Sequence, residues 1–185
     1  IQYISVAFTD PWEGETEVHR IGYLTDLISE RAVDYVRRRR GASQPFLLSL
    51  HYTAPHWPWE TRADEAEAKH LAASREHIGH VSGGSVETYL AMIHHMDEGI
   101  GRLLATLRDI GADRNTIVVF TSDNGGERFS DVWPLTGKKM DLLEGGIRVP
   151  YIVRWPARIK AGGVTQQLTI TDRKSTRLNS SHGII

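Results

Sequence analysis

The sequence has no cysteine, no long apolar run and almost no net charge. Without cysteine, this chain can form neither a disulfide nor a thiolate metal site or nucleophile. No apolar run approaches the roughly 20 residues that a membrane helix needs. A net charge of −1 predicts no broad attraction to nucleic acid or to an anionic membrane. The first ten residues lack the basic leader and long apolar core of a signal peptide.

What remains is the composition of an ordinary globular domain, with 40% hydrophobic and 24% charged residues. A chain of 185 residues is one domain or part of a larger one. Three short apolar segments, at residues 46–50, 117–120 and 151–155, are predicted to be strands. Helical segments alternate with them along the chain. This alternation predicts an α/β fold with a largely parallel sheet flanked by helices.

Two helices are predicted from their capping residues and their apolar periodicity. The first has Thr25 as its N-cap and ends at Gly41. The second runs from Ser85 to Ile110 and ends at Gly111. Its apolar side chains recur every three or four residues, as one buried helix face requires, at Ile93, Met96, Ile100, Leu103, Leu107 and Ile110.

Asp123 and Asn124 directly follow the predicted strand at residues 117–120 and precede two glycines. In open α/β sheets, ligands bind just beyond the carboxyl ends of the strands. The side chains of both residues offer hard oxygen atoms, which suit Ca²⁺ or Mg²⁺. A tight turn also explains the pattern, because Asn and Gly tolerate a positive φ. Both interpretations remain open from these residues alone.

His56 lies between two prolines, in the segment A-P-H-W-P that follows the predicted strand at residues 46–50. Pro55 and Pro58 restrict the backbone on either side of it. A histidine held in this way is suited to proton transfer or anion binding. The alternative is a structural histidine that is hydrogen-bonded to the backbone. His94 and His95 are adjacent on a predicted helix and therefore point in different directions, which favours a helix surface over a metal site.

Four segments together resemble the sulfatases of the alkaline-phosphatase-like superfamily. They are A-P-H-W-P at 54–58, M-D-E-G-I-G-R-L-L at 96–104, T-S-D-N-G-G at 121–126 and G-K-K-M-D-L-L-E-G-G-I-R-V-P-Y-I-V-R-W-P at 137–156. Each is weak alone, but their order and spacing are specific. The resemblance covers residues 20–172 and implies part of an alkaline-phosphatase-like sulfatase core.

The resemblance also implies roles for individual residues. Asp123 and Asn124 match the family's Ca²⁺ ligands. Lys139 matches its sulfate-binding lysine, and Lys138 is then a solvated neighbour. His56 matches the histidine that contacts the ester oxygens of the substrate and assists the leaving group. A further set matches an architectural element beside the site, namely Glu144, Gly145, Gly146 and Arg148.

The implied activity is hydrolysis of sulfate monoesters with Ca²⁺ and a formylglycine nucleophile. That nucleophile is made from Cys or Ser in the motif C/S-x-P-x-R, which this chain lacks; Ser43-Gln44-Pro45 is not followed by the arginine. We therefore expect residues 1–172 to be a partial catalytic domain, without its nucleophile region and C-terminal subdomain, and inactive alone. Residues 173–185 are expected to be a non-native or disordered tail.

Two alternatives to the sulfatase activity remain open. One is a phosphodiesterase or phosphonate monoester hydrolase of the same superfamily, and the other is a non-catalytic binding module. The expected partner is a sulfated small molecule or glycan, with no nucleic acid and no membrane span. The resemblance implies an exported protein, whether periplasmic, extracellular or lysosomal.

Overall fold

The computed structural model describes residues 12–13, 15–17, 20, 22–64 and 83–169. Two helices pack side by side, and two of the strands form a separate small sheet. The elements in chain order are β1 (Trp12–Glu13), β2 (Thr16–Glu17), α1 (Leu24–Arg37), α2 (Val86–Asp109), a 3₁₀ turn (Asp113–Asn115), β3 (Val118–Thr121), α3 (Glu144–Ile147) and β4 (Tyr151–Arg154).

Helices α1 and α2 approach closely at Ser29 and Gly99. A Cβ atom on Gly99 would lie 2.9 Å from the Cβ of Ser29, so only glycine fits at this point. The Ser29 hydroxyl donates to the backbone carbonyl of Thr25 at 2.7 Å and is hydrogen-bonded to the Tyr52 hydroxyl at 2.9 Å. Apolar side chains around this contact form the core, namely Ala32, Val33, Val36, Met92 and Leu107.

The limits of α2 confirm the sequence prediction. The Ser85 hydroxyl accepts a hydrogen bond from the Thr88 amide at 3.1 Å, as an N-cap does. Gly111 follows the helix with a φ of 75°, which a side chain would disfavour. The predicted apolar face is confirmed in part. Leu107 is buried as predicted, but Ile93 and Ile100 are only half-buried, and Met92 and Gly99, outside the predicted face, are buried.

The prediction that Thr25 caps α1 was wrong. The helix begins at Leu24 with Tyr23 as its N-cap, and Thr25 is fully buried within the first turn. Burial of this side chain depends on tertiary packing, which the local sequence does not reveal. The other end agrees better with the prediction, since the helix ends at Arg37 and turns lead to Gly41 with a φ of 72°.

The small sheet is antiparallel, so it does not confirm the predicted parallel arrangement. Val118 is opposite Arg154 and Thr121 is opposite Tyr151. In the described part of the chain, the pairs β1–β2 and β3–β4 are the strand pairings, and both are antiparallel. The two strands of this sheet are also not buried on both faces, because Val119 is 50% exposed and Ile152 is 58% exposed. An apolar run indicates that a strand is suited to burial, but it does not identify the element that packs on it.

The predicted strand at residues 46–50 does not form. This segment is irregular and pairs with no strand among the described residues, and Leu47 is 90% exposed. The ring of Phe46 packs edge-on against Tyr35 of α1, with ring centroids 5.8 Å apart. The predicted tail at 173–185 lies outside the described residues. Within those described, no helix is long and apolar enough to cross a membrane.

Candidate active site

The turn after β3 lies against the segment that leads into α3. The Gly125 amide donates to the carbonyl of Gly146 at 2.8 Å, and the Lys139 amide donates to the carbonyl of Gly126 at 2.7 Å. Backbone hydrogen bonds of this length fix the two segments in register. The structure therefore brings the T-S-D-N-G-G and K-M-D-L-L-E-G-G segments into direct contact, although they are separate in sequence.

Glycine is required where these two segments meet. A Cβ atom on Gly125 would overlap the carbonyl group of Gly145. A Cβ atom on Gly146 would overlap the carbonyl oxygens of Lys138 and Asp141. Because backbone blocks each position, neither can be relieved by a side-chain rotation. The double glycines thus have the architectural part that the sequence predicted for the E-G-G segment.

Lys139 is held by an acidic residue that the sequence analysis missed. Its ammonium group lies 3.3 Å from a carboxylate oxygen of Glu127, and the two side chains are 22% and 31% exposed. Lys138, in contrast, is exposed. The pairing of Lys139 with Glu127 could not be predicted from their separation in sequence. It depends on the contact between two loops, which the hydrogen bond from the Lys139 amide to the Gly126 carbonyl maintains.

Asp123 and Asn124 lie at the start of the same turn. The Ser122 hydroxyl donates to an Asp123 carboxylate oxygen at 3.4 Å, and Asp123 is exposed. The Asn124 side-chain amide donates to the carbonyl of Gly125 at 2.9 Å, which directs its oxygen away from that carbonyl. These two hard oxygen donors fit Ca²⁺ chemically, but Ca²⁺ takes six to eight. No group of three or more His, Asp or Glu residues suited to a metal occurs within residues 22–64 and 83–169.

His56 has one ring nitrogen engaged and the other directed elsewhere. Its Nδ1 lies 2.7 Å from the carbonyl oxygen of Trp57, so Nδ1 carries the proton and donates it. Nε2 is then the atom that can accept or deliver a proton to another molecule. The side chain is exposed. In the described part of the chain, no hydrogen bond or ion pair joins it to Asp123 or Lys139.

An aromatic contact connects the His56 segment to the turn that holds Lys139. The rings of Trp59 and Phe129 pack edge to face, with centroids 5.0 Å apart. Trp59 is buried with Met92 of α2, and Phe129 packs against the same cluster. Phe129 follows Glu127 by two residues, so this cluster links the segment that carries His56 to the turn that contains Glu127.

A network of ion pairs anchors the other side of the His56 segment. The Arg62 guanidinium donates to both carboxylate oxygens of Asp26 in α1, at 2.6 and 2.7 Å, and lies 2.8 Å from Glu98 of α2. The Asp26 hydrogen bond raises the pKa of Arg62 further, and the Arg62 hydrogen bond lowers the pKa of Glu98. The chain that carries His56 is thus tied to both helices.

Glycine-lined turns that present a lysine and hard oxygen donors define a class of site suited to an anionic ester. Comparison with known proteins places the chain more narrowly. The sulfatase family model matches residues 2–182. The chain belongs to the sulfatase family.

Curated relatives and a solved structure agree with this assignment. The chain is 33% identical to N-acetylgalactosamine-6-sulfatase of Canis lupus familiaris over 163 residues, which is 84% of this chain and 28% of that protein. It is 35% identical to steryl-sulfatase of Mus musculus, over 80% of this chain and 23% of that protein. The crystal structure of Ps i-CgsB in complex with k-i-k-neocarrahexaose matches with a TM-score of 0.67 and 32% identity, over 80% of this chain and 32% of that one. The chain thus spans under a third of the length of each of these proteins.

Proposed function

We propose that the protein containing this chain hydrolyses sulfate monoesters. The observation that carries the proposal is the position of Lys139, whose amide is bonded to Gly126 in the turn that begins with Asp123 and Asn124. A lysine and two hard oxygen donors are thereby presented by adjoining turns. Family membership supports the same chemistry, and the named relatives are sulfatases.

Lys139 and His56 have distinct parts in the proposed reaction. Hydrolysis breaks the bond between sulfur and the leaving oxygen, and oxygen from water is added to the sulfuryl group, which leaves as sulfate. Negative charge develops on the leaving oxygen as that bond breaks. The Lys139 ammonium stabilises charge on the sulfuryl oxygens. In its imidazolium form, with a proton on each ring nitrogen, His56 gives the Nε2 proton to the leaving oxygen, which departs as an alcohol.

Asp123 and Asn124 would hold Ca²⁺ through the carboxylate and amide oxygens, with further ligands from outside the described residues. When bound, such an ion supplies electrophilic stabilisation of sulfuryl oxygen charge. The nucleophile is proposed to be a formylglycine outside this chain, because the sequence lacks cysteine and the S-x-P-x-R pattern. The 185-residue chain alone is therefore expected to be inert.

The proposed substrate is a sulfated small molecule or glycan. One relative is named for a sulfated amino sugar and another for steryl sulfates, and the solved structure binds an oligosaccharide. Export from the cytoplasm is part of the same proposal and rests on family resemblance alone.

The test is turnover by the full-length protein, comparing 4-nitrophenyl sulfate with bis(4-nitrophenyl) phosphate. We expect the sulfate to be cleaved with the higher kcat/KM. Lys139→Ala should lower kcat/KM by roughly 10²- to 10³-fold, as loss of a charge-stabilising donor does. Lys138→Ala is the matched control, because that lysine is exposed, and should retain activity within about twofold.

Two other results would replace the proposal. Far faster cleavage of the phosphate diester would favour a phosphodiesterase of the same superfamily. Absence of any turnover by the full-length protein, with retained binding of sulfated saccharides, would favour a non-catalytic binding module. The observation that favours a non-catalytic binding module is that this sequence lacks the nucleophile motif.

A further inference from the structure

The ion pair between Lys139 and Glu127 leaves the proposed anion site with a cation and a fixed anion together. The two charged groups are 3.3 Å apart, and both side chains are less than a third exposed. The lysine is anchored at its backbone as well, through the amide bond to Gly126. Glu127 thus acts on any bound anion through Lys139 and through its own charge.

A paired lysine treats monoanions and dianions differently from a lone lysine. The charges of Lys139 and Glu127 sum to zero, so this pair gives the second negative charge of a dianion no added attraction, whereas a lone lysine would. At about 6 Å, one unit charge on Glu127 changes the affinity for a second unit charge by roughly three- to tenfold, allowing for partial solvent screening.

This difference corresponds to a chemical distinction between substrates. A sulfate monoester carries one negative charge, whereas inorganic sulfate carries two. A phosphate monoester also carries close to two near pH 7, because its second ionisation occurs at about pH 6. Compensation of the lysine therefore lowers the preference for dianions, including inorganic sulfate, over the monoanionic ester.

We propose that Glu127 is a positioning and specificity-determining residue, which holds Lys139 toward the turn at Gly126 and selects monoanionic sulfate esters against dianionic phosphate monoesters and inorganic sulfate. The proposal rests on the proposed function, because it assumes that the anion binds at Lys139. Glu127 supplies selectivity by charge, in addition to orienting the lysine.

The test uses this chain and two simple anions, methyl sulfate and inorganic sulfate, titrated at matched ionic strength and followed by NMR of the backbone and lysine resonances. Glu127→Gln should raise the affinity ratio of sulfate to methyl sulfate by three- to tenfold. Loss of lysine positioning alone would weaken the dianion more than the monoanion and would lower that ratio, which is the opposite change. Glu127→Asp, which keeps the charge, should leave the ratio closer to that of the wild type.

Glu144→Gln is the matched control. Glu144 lies in the segment that also contains Lys139. It forms an ion pair with Arg148 at 3.4 Å, and both of those side chains are 61% exposed. Its substitution should leave the ratio within twofold of the wild type. A ratio that is unchanged in Glu127→Gln, or changed equally in Glu144→Gln, would overturn the inference.

Lys139→Ala separates this inference from the proposed function. If that variant loses both anions while Glu127→Gln leaves the ratio unchanged, the selectivity role fails and the proposed function stands. If Lys139→Ala retains both anions, or the chain binds neither saturably, the proposed anion site is wrong and the inference falls with it.

Discussion

Trp59 and Phe129 pack edge to face with ring centroids 5.0 Å apart, and this contact joins the segment of His56 to the turn that holds Lys139. Trp59 is 8% exposed and also contacts Met92 of α2. Gly84 lies directly against both rings, because a Cβ atom there would be 2.7 Å from Trp59 and 3.0 Å from Phe129. The proposed site therefore depends on an aromatic cluster that carries none of its chemistry.

Replacing Trp59 by alanine should lower the free energy of unfolding by about 3–5 kcal/mol, since a large buried ring is lost and its space is not refilled. Chemical denaturation measures the change. Trp133→Ala is the control, because Trp133 is 83% exposed, and should cost no more than about 0.5 kcal/mol. Equal losses in the two variants would show that the cluster does not hold these segments together.

Two glycines in α2 are predicted to respond in opposite directions to alanine. Gly99→Ala places a methyl group against the Ser29 side chain and should destabilise the chain by about 1–3 kcal/mol. Gly101→Ala meets nothing within 4 Å and should stabilise it by about 0.5–1 kcal/mol through helix propensity. Thermal unfolding of both variants checks the pair. Stabilisation by Gly99→Ala would contradict the close approach of α1 and α2.

The sequence predicted these helices well and the sheet poorly, for a physical reason. Caps and glycine stops are local, so Ser85 and Gly111 could be identified from their immediate neighbours. Burial of a strand depends on elements that are distant in sequence, which a local pattern does not identify. Val119 and Ile152 are accordingly half exposed although both lie in apolar runs. Thr25 was wrongly predicted to be the N-cap, because its complete burial is a tertiary effect.

The candidate site divides in the same way. The family resemblance gave Gly145 and Gly146 an architectural part, and the structure places Gly146 against Gly125 through a backbone hydrogen bond. Glu127 could not be found, since its pairing with Lys139 depends on two loops meeting. The roles of His56, Lys139, Asp123 and Asn124 stay predictions.

Stability should fall as the pH is lowered below about 6.5, and His95 is the expected cause. Burial lowers the pKa of His95 from 6.5, and the positive charge of Arg62 lowers it further, against weaker opposing effects of Asp26 and Glu98. The unfolded chain therefore binds a proton at a higher pH than the folded chain does. The stabilisation is complete above pH 6.5 and is lost as the pH falls through the lowered pKa.

His95→Phe should reduce that dependence. The ring of His95 packs edge-on against Tyr23 with centroids 5.5 Å apart, and its buried Nδ1 has no hydrogen-bond partner among the described residues, so phenylalanine keeps the contact. Melting temperatures between about pH 7 and pH 5 provide the measurement. A variant that loses as much stability as the wild type over this range would exclude His95 as the source.

Calcium should bind this chain only weakly, because Asp123 and Asn124 supply two of the six to eight oxygens that the ion prefers. We expect a Kd of about 1 mM or higher by calorimetry, which is the range of weak sites. Asp123→Ala should abolish the binding, whereas Asp109→Ala, at the end of α2, should not. Tight binding that survives Asp123→Ala would refute the assignment of this pair.

The central claim is that His56 and Lys139 contact the same small anion. The most direct measurement is the NMR response of the His56 ring during titration of this chain with methyl sulfate, in the wild type and in Lys139→Ala. We predict that the His56 ring and the Lys139 amide shift with one common midpoint, and that both responses disappear in Lys139→Ala. A His56 response that keeps its midpoint in Lys139→Ala, or a Lys139 response without one at His56, would contradict the account.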